Sequence, residues 1–331
     1  MKCLVTGGAG FIGSNLVEKL IKLRHEVIVL DDLSTGRLSN LNKLISQISF
    51  YKVDITNKKK LLDYYFSKVD WVFHLAGLAD IVPSIENPEK YFNSNVVGTL
   101  NVLEKARKAN IKKFIYAASA SCYGIPDQYP TKEESKIQLE YPYALTKNLG
   151  ELIVLHWAKV YKMPNISLRF FNVYGPKSRT TGAYGAVFGV FLAQKLAKKP
   201  LTVVGDGKQT RDFIHVYDLV DAIILIAKKA KRNQIFNIGS GKETSVNKIA
   251  KIIGGEIINI PKRPGEPNRS LGNIERLKKQ LKWKPKISIN KGVKMMLNII
   301  ENWKDAPVWT PKKIDRATKV WFKYLKNGKN S

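Results

Sequence analysis

A tyrosine and a lysine four residues apart could form an acid–base pair in the stretch YPYALTK. Tyr143 and Lys147 would share one face of a helix, because residues four apart are neighbours there. Tyrosine has an ordinary pKa of about 10, so it acts as a base near neutral pH only if that pKa falls to about 7. A nearby ammonium group lowers it. Many amphipathic helices also carry a packed tyrosine and a solvated lysine, so this pair alone does not decide the function.

A glycine-rich turn near the start of the chain supplies the missing context. The stretch TGGAGFIG follows the apolar run KCLVTG and has glycines at Gly7, Gly10 and Gly13. This spacing before a helix lets backbone N–H groups approach a pyrophosphate, whose charge is favoured at the helix N-terminus. We expect a dinucleotide to bind here, with Phe11 and Ile12 of the same turn in contact with it.

An acidic pair indicates which dinucleotide binds. Asp31 ends the second predicted strand, within the run EVIVLDD and 18 residues after Gly13, where a carboxylate can accept both hydroxyls of the adenosine ribose. Asp31 and Asp32 would repel the 2′-phosphate of NADP, so we expect NAD. Arg37 lies close in the sequence and could pair with that 2′-phosphate, so NADP stays an alternative.

Residues at the ends of two further predicted strands should lie at the same edge of the sheet. Asp54 and Ile55 end the run ISFYKVDI, and Leu75, Ala76 and Gly77 belong to HLAG at the end of DWVFHLAG. In doubly wound parallel sheets the ligand lies at the carboxyl ends of the strands. We therefore assign these residues to the cofactor site.

A nicotinamide cofactor would give Tyr143 a reaction to perform. The tyrosinate would take a proton from an alcohol while the hydride of the same carbon leaves to NAD⁺. Lys147 and the positive nicotinamide ring would lower the pKa of Tyr143. Ser119 and Ser121, at the end of the run KKFIYAAS, would orient the alcohol. Capping of a loop is the alternative role for both serines.

The elements that must position these residues alternate along the chain. Short β-branched runs are followed by longer helical patterns, which predicts βαβ units and a parallel sheet. After Asn172 the pattern loosens into loops marked by Gly and Pro. We predict an α/β fold, a Rossmann-type doubly wound parallel sheet with a smaller C-terminal α/β substrate domain. The expected parts are an NAD-binding domain at 1–172 plus about 213–240, a substrate domain at 173–212 and 241–308, and a C-terminal helical extension at 309–331.

Two predicted helices, near 88–109 and 143–161, are apolar on more than one side. One face could cover the sheet and the other a partner subunit, so we expect a homodimer through these helices.

The tail after residue 308 predicts a basic amphipathic helix. Thr310 and Pro311 are typical of an N-cap and a first helical residue. Such a helix can bind an anionic membrane. We favour docking onto its own chain or a dimer partner, because Trp309 and Trp321 could each bury about 150 to 250 Å². The expected apolar stripe consists of Ile314, Ala317, Trp321, Tyr324 and Leu325.

Length and composition exclude several classes of protein. The chain has 331 residues, of which 44% are hydrophobic, and can bury a large core. It has no apolar run of 18 residues, so no membrane span is expected. A missing secretion leader and two cysteines in predicted buried strands fit a reducing cytoplasm. The four histidines lack ligand spacing, so no metal is expected.

The formal net charge of +29 raises an alternative class, a non-catalytic dinucleotide sensor or an RNA-binding protein. The lysines are spread through nearly every segment, which is typical of solvated faces. The presence of Tyr143, Lys147 and Ser119 favours an enzyme, and we expect no nucleic-acid partner.

Together these motifs resemble the extended short-chain dehydrogenase/reductase family of nucleotide-sugar enzymes. The resemblance runs from Met1 to about Trp303 and includes NSNVVGT, with Asn95, and RFFNVYGP. It implies that Asn95, Tyr143 and Lys147 contact the cofactor and that the substrate is a UDP-sugar held by Ser119 and Tyr143.

The resemblance extends to the nucleotide-diphosphate site of that family through GDGKQTRDFIHVYDL and RPGEP. It implies that Asn172, Arg211 and Arg263 contact the diphosphate and that Glu266 contacts the nucleotide ribose. Arginine forks suit phosphate oxygens, and a carboxylate suits vicinal hydroxyls.

The same resemblance narrows the reaction. The 4,6-dehydratases carry an Asp-Glu pair where this chain has Ala120 and Ser121, and UDP-glucuronate decarboxylases typically place Glu at the position of Ser121. The remaining groups suffice for 4-epimerisation, in which C4 is oxidised, the 4-keto ring turns over, and C4 is reduced on its other face. We expect a 4-epimerase of a UDP-hexose; a uronic acid epimerase or a 4,6-dehydratase is the alternative.

One residue is expected to set the size of the sugar. Four positions after Glu266, glucose-restricted epimerases of the family carry a bulky aromatic residue and broader ones a small residue; this chain has Ser270. Ser270 would leave room for a 2-acetamido group, so N-acetylhexosamine forms are expected beside UDP-glucose and UDP-galactose. The stretch GAYGAV (182–187) also resembles loops of N-acetylhexosamine 4-epimerases, whereas KSRTT keeps other hexoses and uronic acids open.

Overall fold

The computed structural model describes residues 1–178 and 186–325. The strands within these ranges are β1 (Lys2–Thr6), β2 (Glu26–Asp31), β3 (Ser49–Lys52), β4 (Trp71–His74), β5 (Lys113–Ser119), β6 (Asn165–Phe170), β7 (Asn172–Tyr174), β8 (Leu201–Val204), β9 (Thr210–His215), β10 (Gln234–Ile238), β11 (Glu243–Ser245) and β12 (Ile257–Ile260). The helices are α1 (Phe11–Lys22), α2 (Ile81–Glu86), α3 (Pro88–Phe92), α4 (Gly98–Lys108), α5 (Pro142–Val160), α6 (Val187–Leu196), α7 (Val216–Lys229), α8 (Val246–Ile253), α9 (Glu275–Leu281), α10 (Ile289–Leu297) and α11 (Pro311–Leu325).

Seven parallel strands form the central sheet in the order β10-β6-β5-β4-β1-β2-β3. The chain builds outward from β1 to β3, then returns to β4 on the other side of β1. This reversal creates a topological switch point between β1 and β4, where ligands bind in such sheets. The predicted Rossmann-type fold class is confirmed.

The central sheet is buried on both faces. On β1, Cys3 and Val5 belong to one apolar cluster, while Leu4 belongs to the cluster on the opposite face. Alternate side chains of a strand point to opposite faces, so an almost continuous apolar run is what a doubly covered strand requires. Both cysteines are buried free thiols.

A second, smaller group of elements has its own core. Strand β9 pairs with β7 and β11, and β8 pairs with β12. Phe191 of α6, Val203 of β8 and Ile249 of α8 lie in one apolar cluster separate from those of the central sheet. These elements form the smaller α/β part that the sequence predicts, while the exact boundaries between the parts stay a prediction.

The two long predicted helices are present. The first runs from α3 to α4 through a π-helical segment, Asn93–Val97. The second is α5, which exposes Leu145, Leu152 and Val160 along one side. Exposed apolar rows of this kind are found at subunit contacts. The row is compatible with the expected homodimer, which stays a prediction.

The tail forms α11 with the predicted start. Lys313 donates its backbone N–H to Oγ1 of Thr310, an N-cap contact of 3.4 Å. Ile314, Thr318 and Trp321 are buried, whereas Tyr324 is 60% exposed. The expected stripe is therefore wrong at Tyr324, because the face that docks is centred between Ile314 and Thr318 and leaves Tyr324 at its edge. Among the described residues, no helix combines the length and apolar character needed to cross a bilayer.

Candidate active site

A cavity of about 870 Å³ lies at the carboxyl ends of β1, β2 and β4. The glycine-rich turn lines this cavity, and its backbone packs very closely against neighbouring backbone atoms. Gly7 has a φ of +69°, and a Cβ there would lie 2.7 Å from the Ala76 nitrogen. A Cβ at Gly13 would lie 2.1 Å from the Gly7 carbonyl oxygen. Only glycine fits these positions, so the N-terminus of α1 meets the cavity with bare backbone, as a pyrophosphate requires.

Asp31 lines this cavity at the end of β2. Its carboxylate accepts hydrogen bonds from the backbone N–H groups of Ala9 and Leu33, both at 2.9 Å. Burial raises the pKa of Asp31, and these two hydrogen bonds lower it by less. Each carboxylate oxygen has a further lone pair, so the group can still accept ribose hydroxyls. Arg37, which kept NADP open, donates through Nη2 to the Ser178 carbonyl oxygen at 3.3 Å.

The structure brings most of the expected cofactor residues together around this cavity. Asn95 lies behind its wall, where its amide contacts the backbone N–H of Leu78 at 2.8 Å and the carbonyl oxygen of Leu78 at 3.0 Å. Asn95 thus braces the loop after β4, and direct contact with a cofactor stays a prediction for it. The expected residues that line the cavity are Gly7, Gly10, Phe11, Ile12, Gly13, Asp31, Asp32, Asp54, Ile55, Leu75, Ala76, Gly77, Tyr143 and Lys147.

Tyr143 lies at the junction of this cavity and a second one of about 450 Å³. Lys147, one turn later on α5, lines the first cavity, while Ser119 and Ser121 line the second. The Ser119 hydroxyl is near enough to Tyr143 to lower the pKa of its phenol, and Ser121 donates its hydroxyl to Ser119 Oγ at 2.8 Å. Tyr143 therefore borders both cavities. The hydroxyls of Ser119 and Ser121 lie on the side of the second cavity, and the Lys147 ammonium group lies on the side of the first.

Burial is the largest cause of the pKa shifts of Tyr143 and Lys147 in the chain alone. Burial raises the pKa of Tyr143, and the Ser119 hydrogen bond lowers it by less. Burial lowers the pKa of Lys147 to about 8, and the Glu151 charge opposes this shift. The expected lowering of the Tyr143 pKa is thus not produced by the protein alone, because removal from water disfavours both charged forms.

The surroundings of Lys147 fix its position. Its ammonium group lies 4.7 Å from the centre of the Tyr116 ring, and the Tyr116 hydroxyl donates to the Lys147 carbonyl oxygen at 3.2 Å. Gly150 makes this approach possible, because a Cβ there would lie 2.3 Å from the Tyr116 hydroxyl. The helix therefore lies directly on the sheet at Tyr143 and Lys147.

The second cavity extends from the serines to the loop that contains RPGEP. All five residues expected on the nucleotide-sugar side line it: Asn172, Arg211, Arg263, Glu266 and Ser270. Three of them form one charged group, whereas the resemblance implies a diphosphate as the partner of the two arginines and the nucleotide ribose as the partner of Glu266. Arg211 donates to Glu266 at 2.8 Å, and Arg263 lies 3.8 Å from the same carboxylate. Glu266 thus holds two arginine side chains together at the wall of the second cavity, where a diphosphate is expected.

Sequence reasoning missed three residues of the second cavity. Asp80 has a positive backbone φ of 79°, which is uncommon for a residue other than glycine. The Tyr141 ring lies parallel to that of Tyr143, with centroids 6.5 Å apart. Trp321 comes from α11. Asp80 and Trp321 are brought to the cavity by contacts between residues far apart in the sequence. No local motif indicates either residue.

Part of the stretch GAYGAV (182–187), which bears on the sugar, lies outside the described residues. Ala186 and Val187, its described end, line the second cavity. Within 1–178 and 186–325, no group of three His, Cys, Asp or Glu side chains has the arrangement of a metal site.

Several known proteins are similar to this chain in sequence and fold. The model of the NAD-dependent epimerase/dehydratase family matches residues 3–239. A UDP-glucose 4-epimerase of Mycolicibacterium smegmatis is 34% identical over 312 residues, which cover 91% of this chain and 99% of that protein. UDP-glucuronic acid decarboxylase 1 of Arabidopsis thaliana is 33% identical, over 91% of this chain and 70% of its own. A UDP-glucose 4-epimerase of Thermotoga maritima, solved with UDP-glucose, has a TM-score of 0.85 and 34% identity, and the match covers 91% of this chain and 99% of that one.

Proposed function

Because the chain belongs to the NAD-dependent epimerase/dehydratase family, we propose that it is a 4-epimerase of a UDP-hexose. The observation that carries this proposal is the position of Tyr143 at the junction of two cavities, one lined by the glycine-rich turn and the other by Arg211 and Arg263. A single acid–base group between a dinucleotide and a nucleotide sugar is the minimum that transient oxidation of an alcohol needs.

The residues present fit the cofactor of the family. The close packing at Gly7 and Gly13 exposes backbone N–H groups to a pyrophosphate, and Asp31 offers a carboxylate where NADP would carry a phosphate. When bound, NAD supplies the acceptor and donor of hydride for a transient oxidation at C4 of the sugar.

The side chains of the protein move the proton. Tyr143, as tyrosinate, takes the proton of the C4 hydroxyl, and Ser119 holds that hydroxyl through a hydrogen bond. Lys147 stabilises the tyrosinate through its charge. After the 4-keto sugar turns over, Tyr143 returns the proton to the C4 oxygen on the other face of the ring. Arg211 and Arg263 hold the diphosphate throughout, which leaves the sugar as the part that rotates.

The residues next to Ser119 support epimerisation over elimination or decarboxylation. Ala120 and Ser121 line the second cavity, at the positions where the family resemblance implies carboxylates in dehydratases and decarboxylases. Asp80 reaches the same end of the cavity from another wall, so products of dehydration belong in the test. The small Ser270 supports a pocket that admits a 2-acetamido group, which extends the proposed substrates to UDP-N-acetylhexosamines.

The test is incubation of the purified protein with UDP-, GDP- and dTDP-sugars, followed by NMR of the anomeric and H4 signals. We expect interconversion of UDP-hexoses that differ at C4, without net reduction of NAD. A 4-keto-6-deoxy sugar would identify a dehydratase, a pentose with CO₂ a decarboxylase, and turnover of UDP-glucuronate alone a uronate epimerase. Absence of turnover together with a salt-sensitive RNA shift would favour the nucleic-acid alternative.

A further inference from the structure

Helix α11 lies against both walls of the second cavity. Ile314 is buried in an apolar cluster with Val204 of β8 and Ile260 of β12, which anchors the helix on the smaller part of the molecule. The same helix contacts α2, whose first residues, Ile81 and Val82, line the catalytic end of the cavity. The helix therefore bridges the nucleotide side and the catalytic side, although it lies past Trp303, where the family resemblance ends.

Trp321 is the residue of α11 that lines the cavity, and it is 5% exposed. Its indole N–H donates to the Pro264 carbonyl oxygen at 2.7 Å. The guanidinium carbon of Arg263 lies 5.4 Å from the centre of the indole ring. One hydrogen bond and one cation–π contact thus join the helix to the loop that carries Arg263 and Glu266.

These contacts differ from those of an apolar anchor. Within the described residues, the cluster under α11 consists of Val204, Ile260 and Ile314 with Trp309 packed against it, and Trp321 lies outside it. Trp321 contacts a carbonyl group and a cation, and its ring borders the ligand space. An indole at this place restricts the rotamers of Arg263 before a ligand arrives, which reduces the entropy lost on binding.

We propose that α11 is a wall of the substrate site and that Trp321 is a positioning residue, which holds Arg263 for the diphosphate of a nucleoside-diphosphate ligand. This inference rests on the proposed function, because it takes the ligand of the second cavity to be a nucleotide sugar. The role of Glu266 is then shared, since Arg263 is held by the carboxylate on one side and the indole on the other.

The test measures binding of UDP by calorimetry to the full chain loaded with NAD. We expect Trp321→Ala to weaken UDP binding by about 10-fold, the effect of losing a desolvated cation–π contact. Trp321→Phe keeps a ring beside Arg263 and should recover most of that affinity. Tyr324→Ala, the matched aromatic change on the exposed side of α11, should bind UDP as the wild type does. Affinity for NAD should stay unchanged in all three variants.

A double-mutant cycle separates positioning from packing. If Trp321 acts through Arg263, Trp321→Ala should have little further effect on UDP affinity in an Arg263→Ala background. Unchanged UDP affinity in Trp321→Ala and Trp321→Phe, or fully additive losses in the cycle, would overturn the inference while the proposed function stands. Should the wild type bind none of UDP, GDP and dTDP, the proposed function itself fails, and the inference with it.

Discussion

At the scale of single residues, the proposed chemistry depends on how the Tyr143 phenol loses its proton. The pKa of Tyr143 is raised by burial, and the Ser119 hydrogen bond compensates only in part. The positive charge needed to form tyrosinate must come from Lys147 and from the cofactor beside it. The enzyme would then have a functional base only in its loaded form.

Replacement of Tyr143 by Phe removes the base and keeps the ring. We expect a loss of about 10² to 10⁴ in kcat, the usual contribution of a positioned acid–base group. The melting temperature and the NAD content serve as controls, because the ring packing is retained. Activity close to wild type would reduce Tyr143 to a packing residue.

The pH dependence of kcat should show whether Lys147 stabilises the tyrosinate form of Tyr143. Activity requires tyrosinate, so the rate rises with pH through the apparent pKa of Tyr143. Lys147→Ala removes a positive charge that favours tyrosinate, so this rise should move to higher pH. Because the pKa of Lys147 is lowered to about 8, its charge is available mainly below that pH. The measurement is kcat against pH, with Lys159→Ala at the exposed end of α5 as control. An unshifted profile in Lys147→Ala would contradict this role.

At the scale of elements, the features that could be predicted from the sequence are those that depend on residues close together in the chain. The turn TGGAGFIG, the strand ends and the Tyr143–Lys147 spacing each depend on local geometry, and the sheet edge brings them together. The pairing of Arg211 and Arg263 with one carboxylate could not be predicted, because it depends on how a strand and a distant loop meet. The direction of the Tyr143 pKa shift also depends on burial, which only the packed molecule reveals.

Helix α11 gives the element-scale prediction. Its apolar side is occupied by its own chain, so it has little to offer a membrane. Deletion of residues 309–331 should lower the melting temperature, because the contacts of Ile314 and Trp321 are lost. The intact protein should show negligible binding to anionic liposomes. Unchanged melting combined with salt-sensitive liposome binding would reverse the assignment.

At the scale of the whole molecule, the exposed row on α5 is the clearest candidate for a subunit contact. Leu152, at its centre, is 54% exposed. In a dimer formed through this row, a charge at position 152 would be removed from water and would have no opposite charge beside it. Leu152→Arg should therefore convert a dimer to a monomer. Light scattering after size exclusion measures the mass. Tyr217→Arg, at an exposed aromatic residue on α7, is the control. A wild-type monomer, or a dimer in Leu152→Arg, would exclude this surface.

The attachment of α11 at the cavity also has an evolutionary consequence. This helix follows every other described element in the sequence, yet one of its side chains borders the ligand space. If Trp321 positions Arg263 as proposed, mutations, exchanges or truncations confined to this last segment would alter ligand preference without an insertion into the sheet or a change near Tyr143. Selection could then act on the substrate range of such a protein separately from its catalytic apparatus, and the most informative differences between close homologues would lie after residue 308.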